Sequence, residues 1–62
     1  MFGKAKKDLS NGLGTIPKGE LCELINIWIN NTVNDIYVRI RFEDMYMITS
    51  LSNIEVNKNI NI

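Results

Sequence analysis

The chain contains no histidine, one cysteine and one proline. A single cysteine cannot form an intramolecular disulfide, and a structural zinc site needs about four ligands of the cysteine or histidine type. Without histidine, a serine or cysteine nucleophile lacks its commonest general base. Cys22 itself lies inside an apolar run, where a thiol is typically a small buried hydrophobic group. These absences predict a protein that is not an enzyme and that uses no cofactor and no metal.

Long apolar runs and a strong net charge are also absent. No stretch approaches the roughly 18 apolar residues that a membrane-spanning helix needs, and the N-terminal segment lacks the apolar centre of a signal peptide. A lone thiol suits a reducing compartment. We therefore expect a cytoplasmic protein that does not contact a membrane. The formal net charge is zero, so charge alone does not favour nucleic-acid binding.

The length and composition of the chain predict one small globular domain. It has 62 residues, of which 45% are hydrophobic, and ten of them are isoleucine. Residues 1–12 show no periodic pattern and carry Lys4, Lys6 and Lys7, which predicts a flexible basic arm. Residues 13–57 are expected to form a single β domain with a net negative charge. Residues 58–62 are expected to be a frayed tail.

One segment shows strict alternation of apolar and polar residues, from residue 35 to residue 43. The expected inward residues are apolar: Ile36, Val38, Ile40 and Phe42. The expected outward residues are polar or aromatic: Tyr37, Arg39, Arg41 and Glu43. This period of two predicts a half-buried strand.

The segment 20–31 fits two templates. Residues 21, 24, 25, 28 and 29 would form one stripe of a helix, whereas alternate residues would share one face of a strand. Three isoleucines and Trp28 within five residues favour the strand. The main prediction is therefore an all-β fold. The alternative is an α+β fold in which a helix over residues 20–31 packs on a small antiparallel sheet.

Short motifs predict the connections between these segments. Pro17 and Gly19 suit the second and fourth positions of a type I turn. The two acidic residues Glu43 and Asp44 predict a tight reversal of the chain, followed by a further strand over residues 45–50. Ser52 and Glu55 have the spacing of a capping box. Since few good helix formers follow them, we expect a single 3-10 turn before a short last strand.

The resulting order of elements resembles the SH3-like small β-barrels. The segments that carry the resemblance are GTIPKGE at residues 14–20, YVRIRFED at residues 37–44 and SLSNIE at residues 50–55. The resemblance covers roughly residues 13–57 and implies a small barrel of about five short strands with one 3-10 turn. The N-terminal segment lacks the aromatic signature with which eukaryotic SH3 domains bind proline-rich peptides, so the resemblance does not imply that activity. A fold shared by many unrelated functions does not by itself identify one.

The outward residues of the predicted strand are the main candidates for a binding site. Tyr37, Arg39 and Arg41 are expected to project together, with Tyr46 across the tight reversal. Aromatic rings and guanidinium groups on one rigid face can anchor a protein partner or stack on bases. The alternative is a solvated sheet on which the arginines pair with Glu23 or Glu43. Trp28 is a further candidate anchor, although the sequence favours its burial in a small core.

Three functions follow from these candidates. The leading hypothesis is a protein–protein interaction module, encoded by a bacterium, a phage or another mobile element, that binds a larger host or phage protein. The second is a nucleic-acid-binding module that uses Tyr37, the two arginines, and the lysines at positions 4, 6 and 7. The third is a structural subunit that self-assembles through a sheet edge, as a homo-oligomer.

Overall fold

The computed structural model describes residues 1–57, and these residues form strands joined by turns and by one 3-10 turn. The strands are β1 (Phe2–Ala5), β2 (Leu9–Asn11), β3 (Gly14–Ile16), β4 (Leu21–Asn30), β5 (Asp35–Phe42), β6 (Met45–Ser50) and β7 (Ile54–Val56). The 3-10 turn spans Leu51–Asn53, between β6 and β7. The all-β prediction is confirmed. The alternative of a helix over residues 20–31 is wrong, because those residues contain β4. The expected frayed tail at 58–62 lies outside the described residues.

The strands form two antiparallel sheets. The larger sheet has five strands in the order β6-β5-β4-β1-β7, and the smaller sheet is the hairpin of β2 and β3. Within residues 1–57 no hydrogen-bonded pairing joins β6 to β7, so the large sheet is open. The predicted closure into a barrel is therefore wrong, and the described residues contain more strands than the sequence pattern indicated.

The additional strands come from the N-terminal segment, where a flexible arm was expected. β1 lies between β4 and β7 and pairs with both, and β2 pairs with β3. Gly3 and Ala5 are the buried residues of β1. Because the inward positions of β1 carry such small side chains, this strand lacks the apolar alternation that reveals a strand in a sequence. The prediction of a flexible arm over residues 1–12 is wrong.

The core is aliphatic and lies on one side of the large sheet, which we call the inner face. Its buried hydrophobic residues are Ala5, Leu9, Ile16, Cys22, Leu24, Val38, Ile40, Met47 and Ile54. The predicted inward positions 38 and 40 of β5 are fully buried, and Phe42 packs against them. Cys22 is buried as expected, and its thiol donates a hydrogen bond of 3.4 Å to the carbonyl oxygen of Gly3. Burial raises the pKa of the Cys22 thiol.

A β-bulge at Ile25 divides β4 into two halves. The alternation of inward and outward side chains in the second half is shifted by one residue relative to the first. Leu24 pairs with buried Ile40, but Asn26 pairs with exposed Arg39, so Ile25 is the additional residue. Without the bulge, the period of two would place Asn26 and Trp28 on the inner face with Leu24. The bulge instead turns both side chains outward. It explains why one alternation over residues 20–31 does not give the facing of the whole strand.

The turn before β4 starts one residue later in the chain than expected. The amide of Glu20 donates to the carbonyl oxygen of Pro17 at 3.2 Å, so Pro17 is the first residue of the turn and Gly19 the third. Gly19 has a φ of 91°, the left-handed value that the third position of a type II turn requires. The Gly19 amide also donates to the carbonyl oxygen of Ala5 at 2.8 Å. The turn thereby fixes the end of β1 against the start of β4.

The other predicted connections are present. Residues 43–44 form a two-residue turn between β5 and β6, closed by the pair Phe42 and Met45. The 3-10 turn precedes β7 as expected. Its cap is Ser50, however, whose hydroxyl accepts a hydrogen bond from the Ser52 amide. The expected capping box of Ser52 and Glu55 is wrong, because Glu55 already belongs to β7.

Candidate partner-binding face of the sheet

The outer face is the side of the large sheet that points away from the core. Its cross-strand pairs include Trp28 with Tyr37 and Arg41 with Tyr46, and Arg39 lies between these pairs on β5. Directly opposed residues of neighbouring strands project on the same side of a sheet. All five candidate residues predicted from the sequence therefore share one face.

Trp28 and Tyr37 form an aromatic pair near the end of the β4–β5 hairpin. Their ring centroids are 6.3 Å apart, with an angle of 54° between the ring planes. Tilted pairs at this separation are favoured by the ring quadrupoles. Both side chains are half-buried, so each ring keeps a surface open to solvent. The expected burial of Trp28 in the core is wrong, since the bulge at Ile25 directs its side chain outward.

Arg39 lies over the ring of Tyr46. The guanidinium carbon is 4.9 Å from the ring centroid, within the range of a cation–π contact. No carboxylate of residues 1–57 forms a salt bridge with Arg39. The contact with Tyr46 orients the guanidinium group of Arg39, which has no salt-bridge partner among the described residues.

Arg41 differs from Arg39, because it forms a salt bridge with Glu23 of β4. The distance between Arg41 Nη2 and Glu23 Oε1 is 2.8 Å, and both side chains are substantially exposed. Exposed pairs of this kind contribute about 0–1 kcal/mol. The predicted pairing of arginine with Glu23 is thus found for Arg41. It leaves Arg39 as the uncompensated cation of the strand.

The outer face also contains apolar residues that the sequence analysis did not select. Phe2 pairs with Glu23, Leu21 pairs with Lys4, and Ile48 pairs with Arg39. Their exposed fractions are 47%, 48% and 56%. The alternation of β5 predicted the polar residues of this face. Phe2 joins the face because β1 is a strand, and Leu21 joins it because β4 turns Cys22 inward. No signal in the sequence shows the pairing of β1 with β4.

The lysines of the nucleic-acid alternative lie in two different places. Lys4 is on the outer face, between Leu21 and Glu55 of the neighbouring strands. Lys6 and Lys7 lie in the connection between β1 and β2. The structure therefore brings together the aromatic and arginine candidates, and it divides the lysines between the face and a loop.

Two open cavities flank β6. One has a volume of about 360 Å³ and is lined by Asn11, Arg39, Tyr46, Met47 and Ile48. The other, of about 410 Å³, lies between the β2–β3 turn and the β5–β6 turn, where Glu43 and Asp44 line it. Within residues 1–57 no group of three or more acidic or cysteine side chains is arranged to hold a metal ion. The first cavity connects the outer face with the edge of the sheet.

The chemistry of the outer face is that of a binding surface. None of the helical structure in residues 1–57 is long and apolar enough to cross a membrane. The arrangement of the outer face offers aromatic surface, one uncompensated guanidinium group and apolar side chains, which is a chemistry of binding. When the chain was compared with models of protein families, with curated proteins and with solved structures, no match was found.

Proposed function

We propose that this protein is a non-enzymatic module that binds a protein partner through the outer face of its large sheet. The observation that carries the proposal is the location of the aromatic residues. The chain has five, and none of them is among the buried residues of the core. Four project from the outer face: Phe2, Trp28, Tyr37 and Tyr46.

This distribution is unusual for a small domain. Aromatic side chains bury more apolar area than any others and normally dominate a small core. Here isoleucine, leucine, valine and methionine dominate the core, with Phe42 packed against it, and the other four aromatic rings lie where a partner can reach them. Trp, Tyr and Arg are the residue types that contribute most to binding at protein interfaces. The outer face combines all three with exposed Leu21 and Ile48.

The charges on this face favour a protein partner with charge complementarity. Arg39 can receive a carboxylate of the partner, because no acidic residue of the described chain neutralises it. Glu43 and Asp44, at the nearby β5–β6 turn, suit basic groups of the same partner. Such complementarity selects the partner and its orientation more than it adds affinity.

Composition and topology support the proposed source, the proposed location and the resemblance to the SH3-like small barrels. The high content of isoleucine and asparagine favours an AT-rich genome, and hence a bacterium, a phage or another mobile element. The lone thiol supports a cytoplasmic location. The 3-10 turn before the last strand supports the resemblance to the SH3-like small barrels, although the sheet is open.

The test uses a double substitution on the face and a matched one elsewhere. Arg39→Ser with Arg41→Ser removes two cations from the outer face, and Lys6→Ser with Lys7→Ser removes two from the β1–β2 connection. We expect the tagged wild-type protein and the lysine variant to recover the same protein from host lysate, with or without nuclease. The arginine variant should recover little of it. Equal recovery by both variants would remove the outer face from the binding site.

Direct binding of single-stranded nucleic acid is the second candidate. It is favoured by the Trp28–Tyr37 pair and by Arg39 over Tyr46, since bases stack on aromatic rings and guanidinium planes. The two candidates respond differently to salt. Binding to nucleic acid should weaken log-linearly with salt concentration, and the slope should decrease in both double variants. A protein partner should respond more weakly to salt and should survive nuclease treatment.

A further inference from the structure

The backbone groups along one edge of the large sheet have no partner within the described residues. β6 is an edge strand that pairs only with β5. Phe42 and Met45 close the two-residue turn as its first and fourth residues, so they are a hydrogen-bonded pair. Since such pairs alternate along an antiparallel ladder, Met47 and Thr49 also bond to β5. The N–H and C=O groups of Tyr46 and Ile48 therefore point away from the sheet.

Exposed edges are normally protected against pairing with other chains. The common devices are lysine or proline in the strand, a bulge, or a very short strand. β7, at the opposite edge, is three residues long and carries Glu55. β6 has the sequence MYMITS, with no charge and no proline, and its register with β5 is continuous. Among the described strands of the large sheet, β6 is thus an edge without protection.

We infer that the edge of β6 pairs antiparallel with the same edge of a second copy of this chain. The outward backbone groups of Tyr46, Ile48 and Ser50 are symmetric about Ile48, and of these the Ser50 carbonyl oxygen already accepts one hydrogen bond, from the 3-10 turn that Ser50 caps. A two-fold axis at Ile48 places Ile48 opposite Ile48 of the second copy and Tyr46 opposite its Ser50. The two large sheets then join into one continuous sheet. The N–H and C=O groups of Ile48 pair across the axis, and the Tyr46 N–H donates to the remaining lone pair of the Ser50 carbonyl oxygen of the second copy.

The charges of the chain favour a second copy as the occupant. No like charges meet across the pairing, because β6 has none, and the formal net charge of zero removes the long-range repulsion between copies. Ile48, at the axis, is the most exposed apolar residue of β6, at 56%. An open cavity lies beside Tyr46, Met47 and Ile48 at this edge, with Asn11 of β2 also lining it. The assembly stops at a dimer, because each copy offers one unprotected edge.

This inference depends on the sheet edge and not on the proposed binding of a partner by the outer face. Sedimentation equilibrium of the purified chain, from micromolar to millimolar concentration, tests it. We expect a reversible change in mass from monomer to dimer. Ile48→Lys places two lysines opposite each other at the axis, and it should raise the dissociation constant by about tenfold or more. Ile29→Lys makes the same change at an exposed position of β4 and should leave the dissociation constant unchanged.

A backbone variant separates strand pairing from side-chain contact. Chemical synthesis can place an N-methyl group on the amide of Ile48, which removes one outward donor and retains the side chain. We expect this variant to keep the far-UV circular dichroism spectrum of the wild type and to remain a monomer. A wild-type chain that is monomeric at every concentration would overturn the inference. So would a dimer that neither Ile48 variant weakens.

Discussion

Gly3 occupies the closest approach between β1 and β7. A Cβ atom at this position would stand 2.5 Å from the Cγ2 atom of Ile54 and 2.9 Å from the carbonyl oxygen of Glu55. The second of these neighbours is backbone, which moves only if β1 separates from β7. Gly3 also accepts the hydrogen bond of the Cys22 thiol from the other side. The position is thus fixed by both neighbouring strands.

We predict that Gly3→Ala destabilises the fold by about 1–3 kcal/mol, the usual effect of forcing extra volume into a packed site. Urea unfolding, followed by far-UV circular dichroism, measures the change. Gly12→Ala is the matched control, because a Cβ atom at Gly12 has no neighbour within 4 Å. If both variants unfold at the same urea concentration, β1 is not packed against β7 as described.

At the scale of elements, the β5–β6 hairpin contains a residue in an unfavourable conformation. Glu43, the first residue of the two-residue turn, has a φ of 57°. Glycine adopts this left-handed region freely, whereas other L-residues are strained in it by about 1–2 kcal/mol. Two-residue hairpin turns therefore favour glycine or asparagine at this position. The reversal forms here with neither, because the paired strands on both sides hold it.

We predict that Glu43→Gly stabilises the protein by about 0.5–1 kcal/mol, the strain relief less the added entropy of the unfolded chain. Thermal and urea unfolding of the variant measure this gain. The same change at Glu55, within β7, should lower stability, since glycine weakens an extended strand. A loss of stability in both variants would mean that the turn carries no strain.

The elements also show which parts of the fold a sequence can predict. β5 was predicted with its facing, because the period of two in the sequence is unbroken from Ile36 to Phe42. Val38 and Ile40 are buried as expected, whereas Ile36, near the start of the strand, is exposed. The facing of β4 could not be predicted, because one additional residue at Ile25 reverses every position after it. β1 was missed because its inward residues are glycine and alanine.

The same reasoning applies to the candidate site. Tyr37, Arg39 and Arg41 were placed together because they alternate on one strand. Tyr46 followed from the tight reversal, which fixes the register of β6 against β5. The difference between the two arginines could not be predicted. It depends on which residue of β4 stands opposite each of them, and that register changes at the bulge.

At the scale of the whole molecule, the core formed by residues 1–57 contains one ionisable group. The Cys22 thiol is buried, and desolvation raises its pKa above the ordinary value of 9.0. The native state therefore keeps the thiol protonated at a pH where the unfolded chain has lost the proton. In that range the unfolded state binds fewer protons than the native state, so stability decreases as the pH rises. Below the unfolded pKa this contribution is fully present.

We predict that the free energy of unfolding of the wild type falls more steeply above pH 9.0 than that of Cys22→Ala. The alanine variant loses some packing at every pH, but it shares all other titrating groups. The difference between the two curves therefore isolates the thiol. Urea unfolding at a series of pH values measures both. Parallel curves through the alkaline range would show that the thiol is accessible to water in the native state.

The bulge at Ile25 has a consequence for optical measurements. It directs Trp28, the one tryptophan of the chain, to the outer face beside Tyr37, and Tyr46 lies on the same side. The near-ultraviolet chromophores with the strongest signals are thus collected on one surface, outside the packed interior. Intrinsic fluorescence is consequently an unlabelled reporter of that surface. Contact with another molecule there should shift or quench the Trp28 emission, so rates of association can be recorded without a dye, while repacking of the aliphatic interior leaves the emission almost unchanged.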